Sequence, residues 1–247
     1  MLKEEYTLMY RLENHHWWFL AKRRFIKIIL DEFFAGKGGK ILDIGCGTGG
    51  MMELLKRYGS VYGLDAHEEA CALSCQRNSF PFLMGDANHL PFKKESFQLI
   101  TLFDVLYHQF ILDDQAVLDQ IYDLLAPDGC LLITDSAFDS LKSIHDRAVM
   151  ARHRYTLGEL TGKMKKAGFS IIKKSYLYFS LFPLVVLTRF LGKLSTGSSR
   201  GVAHSDLKET NPVINRLLLA ILSWEGWLLR KSALPWGSSL IILGQKK

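Results

Sequence analysis

Cysteine is scarce in this sequence. The four present, Cys46, Cys71, Cys75 and Cys130, are scattered over 247 residues with no CxxC spacing, which speaks against a zinc site, or any metal site, and against a disulfide framework. Cys71 and Cys75 share a helix face only as buried thiols. The N-terminus lacks an apolar h-region and a small-residue cleavage site, so no secretory signal is expected and the chain is placed in the cytoplasm. There is no internal repeat and no low-complexity segment. Acid is missing from the last third. Residues 170–247 hold three Asp/Glu against eleven Lys/Arg, whereas residues 1–169 are close to neutral, so the net charge of +6 is entirely C-terminal. This surplus sits among apolar residues, a pattern that suits a membrane surface or an anionic amphiphile better than nucleic acid.

What is present is a globular composition, 48% apolar with a mean hydropathy of +0.06, organised around KILDIGCGTGG at 40–50. An apolar strand ending in Asp43 runs into a loop with glycine at 45, 47, 49 and 50, where a tight backbone can approach an anionic ligand at the start of a helix. Strands are predicted at 40–44, 60–64, 80–84, 97–103, 129–135, 169–177 and 238–245. Helices are predicted at 48–58, 67–77, 113–126 and 156–167, with APDG at 126–129 as a turn. The alternation predicts an α/β fold built on a doubly wound, mostly parallel sheet. Residues 1–39 form an N-terminal helical cap, amphipathic over 6–35 and carrying the cluster HHWWF at 15–19.

Residues 40–178 with 237–247 make the sheet domain, and 179–236 form an apolar, basic helical insert. Its first part, FSLFPLVVLTRFLG at 179–192, is broken by Pro183 and Arg189 and falls short of the roughly 20 residues that spanning needs. STGSSRG at 195–201 reads as a mobile loop. Helix resumes over 211–231, with Trp224, Trp227, Arg216, Arg230 and Lys231 suited to a headgroup layer. The insert is a cap, a homodimer contact or a peripheral membrane element on the inner face.

Gly45, Gly47 and Gly50 satisfy GxGxxG, so an NAD(P)-dependent oxidoreductase must be weighed. Three acids shift the reading. Asp43 would repel a pyrophosphate, Asp65 ends the second strand where it can accept from ribose hydroxyls, and Asp86 can accept from an adenine amino group. These residues resemble the class I S-adenosylmethionine-dependent methyltransferases, particularly their type 11 domain. DIGCGTGG is similar to the family's glycine motif, LDAH to its ribose acid, GDANHLPFKKESFQLIT to its adenine loop and fourth strand, and LLAPDGCLLI to its fifth strand. ENHHWWFLAKRR and the apolar insert resemble a subgroup associated with glycan or lipid-linked substrates. The resemblance implies a seven-stranded sheet with an antiparallel last strand. It implies S-adenosyl-L-methionine as cofactor, held by Asp43, Gly45, Cys46, Gly47 and Gly49 at the methionine, Asp65 and Ala66 at the ribose, and Asp86 and Ala87 at the adenine. Asp104 would lie beside the sulfonium.

Methyl transfer from a sulfonium needs chiefly in-line placement and exclusion of water. An oxygen acceptor must also lose a proton, for which His108 is the first candidate and His16 the second, with Asp104 and Tyr107 beside them. Trp17, Trp18, Arg154 and Tyr155 are expected to bind substrate, Arg154 by gripping an anion. DVLY in place of an Asn/Asp-Pro-Pro-Tyr motif disfavours DNA, and no cysteine stands where a pyrimidine nucleophile would. The sequence thus predicts an O-methyltransferase for a small-molecule or lipid/glycan-linked acceptor. The alternatives are the oxidoreductase and a non-catalytic scaffold that binds a membrane or partner.

Overall fold

The structure, a computed structural model, describes residues 3–77, 80–195 and 206–247, without the side chains of 192–195. The loop expected over 195–201 lies outside the described residues but for its first position. Two helices come first, α1 (Lys3–Leu12) and α2 (Trp17–Phe33). The alternating region follows as β1 (Lys40–Ile44), α3 (Met52–Leu55), β2 (Ser60–Asp65), α4 (Glu68–Arg77), β3 (Phe82–Met84), β4 (Phe97–Phe103), α5 (Asp114–Leu124) and β5 (Leu125–Ser136). A 3-10 turn (Asp139–Leu141), α6 (Ile144–Ala148), α7 (Leu157–Lys166), β6 (Ser170–Leu177), α8 (Phe182–Ser195), α9 (Pro212–Lys231) and β7 (Ser239–Gln245) complete it.

The seven strands form one sheet in the order β3-β2-β1-β4-β5-β7-β6, with β7 antiparallel to both neighbours. Successive residues of the central strands face opposite layers, as the pleat requires. Leu42, Ile100, Leu131 and Ile242 pack under α5 and α7, while Ile41, Leu99, Leu132 and Ile241 pack under α2 and α9. Central strands buried on both sides read as near-continuous apolar runs, which is why they were legible in the sequence.

Three departures have local causes. The helix expected over 48–58 is only Met52–Leu55, because Gly49 takes φ +77° and the chain beyond Leu55 closes in tighter turns, Tyr58 N–H to Leu55 O. The APDG turn lies within β5, where Asp128 at φ +60° and a register shift between Phe97 and Leu99 absorb it as a bulge. The expected N-terminal helix is two helices, broken at Glu13–His16.

Among the described residues α9 is the one helix long and apolar enough to cross a membrane. It lies along α2, with Leu222, Glu225, Gly226 and Leu229 buried. Glycine at 226 permits the approach, since a Cβ there would stand 3.0 Å from Ile28 Cδ1.

Candidate functional site

The glycine loop leaves β1 with Gly45, Gly47 and Gly49 all in the left-handed region, at φ +68°, +54° and +77°. At Gly45 a Cβ would also meet Val105 Cγ2 at 2.5 Å, so both conformation and space demand glycine. Asp65, at the end of β2, accepts from the Gly47 N–H (2.8 Å) and from the His67 N–H (3.0 Å), which ties the ribose acid to the loop. Ala66 beside it is exposed. Asp86 is exposed and accepts from the Asn88 N–H (2.8 Å), with Ala87 half-buried next to it. The glycine loop, Asp65 and Asp86 therefore follow the ends of the adjacent strands β1, β2 and β3, in the order expected for the cofactor's methionine, ribose and adenine.

Asp43 and Cys46 lie beneath the loop rather than at its mouth. Asp43 is buried, accepts from Thr101 Oγ1 at 2.6 Å, and has its carboxyl pushed up to about 7 by burial. The Cys46 thiol is packed toward Gly63 and Met52, and burial raises its pKa well above the thiol's usual value.

Helix α1 covers the loop. Met9 Cε would lie 3.1 Å from a Cβ at Gly47, and the Tyr6 ring stands 5.3 Å from His67. Glu13, just past α1, is buried between Thr48 Oγ1 (2.5 Å) and the Arg77 guanidinium, and a Cβ at Gly50 would strike its carboxylate. The third glycine of GxGxxG is thus required by Glu13. A recess of about 180 Å³ opens beside it, bordered by Arg23, Arg77, Gly49 and Gly50.

At the end of β4 the chain turns through Asp104, at φ +58°. Its Oδ2 accepts from Lys22 Nζ at 2.5 Å. Lys22, on α2 and 6% exposed, also stands over the rings of Trp18 (5.2 Å) and Phe103 (5.6 Å). Trp18 stacks on Tyr178, whose hydroxyl donates to Trp18 O at 3.0 Å, and Trp17 meets the same tyrosine edge-on. Trp17 and Trp18, expected to bind substrate, thus stand half-buried around Tyr178, with Trp18 beside the Lys22–Asp104 pair. Neither Lys22, Glu13 nor Tyr178 was singled out from the sequence. Lys22 did leave a signal: it falls in phase with the apolar stripe of Trp18, Phe25 and Ile29, where a cation needs a partner.

Other expected residues take different places. His16 caps α2, its Nδ1 accepting from the Trp18 N–H (3.3 Å) and its Nε2 bonded to Thr210 (3.0 Å), so both nitrogens are engaged and burial lowers its pKa. It is a structural cap, not a base. His108 lies against Phe110 and His67, on the β2 side of the loop, and burial holds its pKa down to about 4, poor for accepting a proton near neutrality. Tyr107 is buried in the core, where its phenol is kept protonated by burial.

Arg154 does not reach for an anion. It is 8% exposed and spent on Asp146, through Nε at 2.6 Å and Nη2 at 3.1 Å. Tyr155 is fully buried, its hydroxyl donating to Asp114 at 2.6 Å. Arg154 is thus tied to α6 and Tyr155 to the start of α5, rather than to a substrate. No group of three or more His, Cys, Asp or Glu able to hold a metal occurs among the described residues.

Residues 42–133 match the family model described as "Methyltransferase domain". The chain is 33% identical to 2-phytyl-1,4-naphtoquinone methyltransferase of Thermosynechococcus vestitus over 49% of its length and 53% of that protein's. It is 28% identical to the O-methyltransferase cnsE of Penicillium expansum over 76% of its length and 72% of that protein's. The chain spans about half the length of the first curated relatives it matches. Its fold is shared with an S-adenosylmethionine-dependent methyltransferase of Thermotoga maritima, with a TM-score of 0.61, 18% identity, 99% of this chain and 95% of that one. Sheet order and antiparallel β7 are those of the class I methyltransferase fold, and residues 42–133 match the methyltransferase domain within it. A dehydrogenase does not fit, since its sheet has no antiparallel strand between the fifth and sixth. The cofactor of this domain is S-adenosyl-L-methionine, and the donors and acceptors along the strand ends fit it.

Proposed function

We propose that the chain methylates an oxygen of a small-molecule or lipid/glycan-linked acceptor by direct in-line displacement. The observation that carries this is the juxtaposition of two unlike regions at the strand ends: the Asp65-braced glycine loop and the apolar wall of Trp18 and Phe103 around the Lys22–Asp104 pair. The wall suits an acceptor with an apolar body. The named substrate of the Thermosynechococcus relative, a phytyl naphthoquinone, and the O-transfer of the Penicillium relative agree with that choice.

Asp65 would hold the ribose hydroxyls, Asp86 and Ala87 the adenine, and the Gly45–Gly49 backbone the methionine portion. The bound cofactor supplies a methyl on a good leaving group. The chain contributes position and dryness: α1 closes over the loop, and the indoles exclude water from the acceptor side. Asp104, paired with Lys22 through Oδ2, would turn Oδ1 to an acceptor hydroxyl. Carboxylate and low-pKa imidazole are both weak bases at neutral pH, so rate rests on placement more than on proton abstraction.

Thermal melts with S-adenosylmethionine or NAD, followed by transfer of a labelled methyl to lipid and aqueous cell extracts, test the reading. Saturating cofactor, at about 100 times its Kd, should stabilise by about 2.7 kcal/mol and label should enter the lipid extract. Stabilisation by NAD alone would refute the cofactor. Label confined to the aqueous extract would refute the lipid-linked acceptor.

A further inference from the structure

Helix α9 carries two apolar stripes, and the fold uses one. Leu222, Gly226 and Leu229 face α2. On the opposite side Val213, Leu217 and Trp224 are 73%, 59% and 54% exposed, and Trp227 lies beside them. Helix α8 is more open still: Leu184, Leu187 and Phe190 are all more than half exposed, and no residue of its described part is buried. Its root is joined to α9, since Ser180 donates to Glu225 from its hydroxyl (2.6 Å) and its N–H (3.0 Å). A soluble protein seldom leaves so many large apolar side chains outward on two neighbouring elements without a partner.

Charge says which partner. The three acids of residues 170–247 are Asp206, Glu209 and Glu225. Asp206 is paired with Arg189, Glu209 with Arg11, and Glu225 is fully buried against Ser180. The outward face of α9 is consequently apolar and basic only. Arg216 and Lys231 are exposed along it, with Arg230 exposed at its edge toward Asp31 of α2, and Lys231 Nζ stands 4.0 Å over the Trp227 ring, the pairing of indole and cation that suits a headgroup layer. Two copies meeting through this face would bring like charges together with no acid between them, which disfavours a homodimer. Burial of the inner stripe on α2 also holds α9 in the protein, against a crossing of the bilayer.

We propose that α8 and the outer stripe of α9 dock the protein on an anionic lipid bilayer, lying in its interface. This does not depend on the identity of the methyl acceptor. The test is flotation of the full-length protein with vesicles of phosphatidylcholine alone or mixed with phosphatidylglycerol, at low and high salt. The protein should float with the anionic vesicles only, with a blue shift of tryptophan emission. Arg216→Gln and Arg230→Gln should each weaken partitioning about fivefold. Phe190→Glu with Leu217→Glu should abolish it while S-adenosylmethionine still raises the melting temperature, which shows the variant folded. Three results would each overturn the proposal: no flotation, flotation indifferent to these variants, or a dimer in light scattering that the same variants dissociate.

Discussion

Replacing Lys22 with methionine tests whether the N-terminal helices belong to the site. Lys22 is almost fully enclosed and bonds Asp104 at 2.5 Å, and the Asp104 side chain is 19% exposed. Methionine keeps the stem packed over Trp18 and Phe103 but leaves Asp104 beside the buried Asp135 without its cation. Removing one member of a buried pair costs about 3–5 kcal/mol, and the partial opening of Asp104 to water puts the expected loss at the low end, about 3 kcal/mol. For a chain of this size that is a fall in Tm of about 6–12 °C. Asp104→Asn in the same chain should recover most of it, because asparagine tolerates φ +58° and carries no charge. Urea denaturation of the wild type, both single variants and the double variant gives the coupling directly. If Lys22→Met costs the same with and without Asp104→Asn, to within about 0.5 kcal/mol, the pair does not act as described.

Asp43 makes a prediction about pH. Its carboxyl titrates near 7 in the folded chain, against 3.8 ordinarily. The native state keeps a proton that the unfolded chain releases between about pH 4 and 7, so this group costs stability as pH rises through that window and no more above it. Asp43→Asn removes the dependence and should gain about 2 kcal/mol on the wild type between about pH 5 and 8, read by denaturant melts at each pH. Gly45→Ala combines a positive φ with a 2.5 Å clash against Val105. It should destabilise by about 2 kcal/mol and abolish stabilisation by S-adenosylmethionine. Arg154→Met should lower stability by about 3 kcal/mol by stranding Asp146, yet leave KM for the acceptor unchanged; a raised KM with unaltered stability would restore Arg154 to substrate binding.

The sheet and the cofactor loop were legible because each depends on local chemistry. Runs such as KILDI and SLIILG need burial on both faces, and Gly45 needs a conformation other residues avoid. Asp65 and Asp86 were legible because they end strands, so their place at the rim follows from strand order. Arg154 and Tyr155 were misread because the sequence shows a basic–aromatic pair before a helix but not that Asp146 and Asp114 reach it across turns. His16 read as a base for a similar reason: a histidine at a helix start is an acceptor for the helix's own N–H groups, and that bond consumes the lone pair a base would need. Lys22 was hidden among the basic residues of 22–27, whose phase relative to the core only the packed helix decides.

The N-terminal segment is therefore more than a cap laid over a finished domain. Glu13 grips Thr48 and Arg77 at the glycine loop, while Lys22 grips Asp104 at the far side of β1. Both are buried charges, and a buried charge held by one partner tolerates little displacement, because any gap leaves it neither paired nor hydrated. The cofactor end and the acceptor end are held in register by the same pair of short helices, α1 and α2. Helix α2 is in turn held by α9 through Gly226 and by Tyr178 through the backbone of Trp18. The insert that presents the basic apolar face thus shares a packed contact with the helix that positions Asp104. A chain whose outer surface docks on lipid would then bring its acceptor wall to that surface with no further moving part.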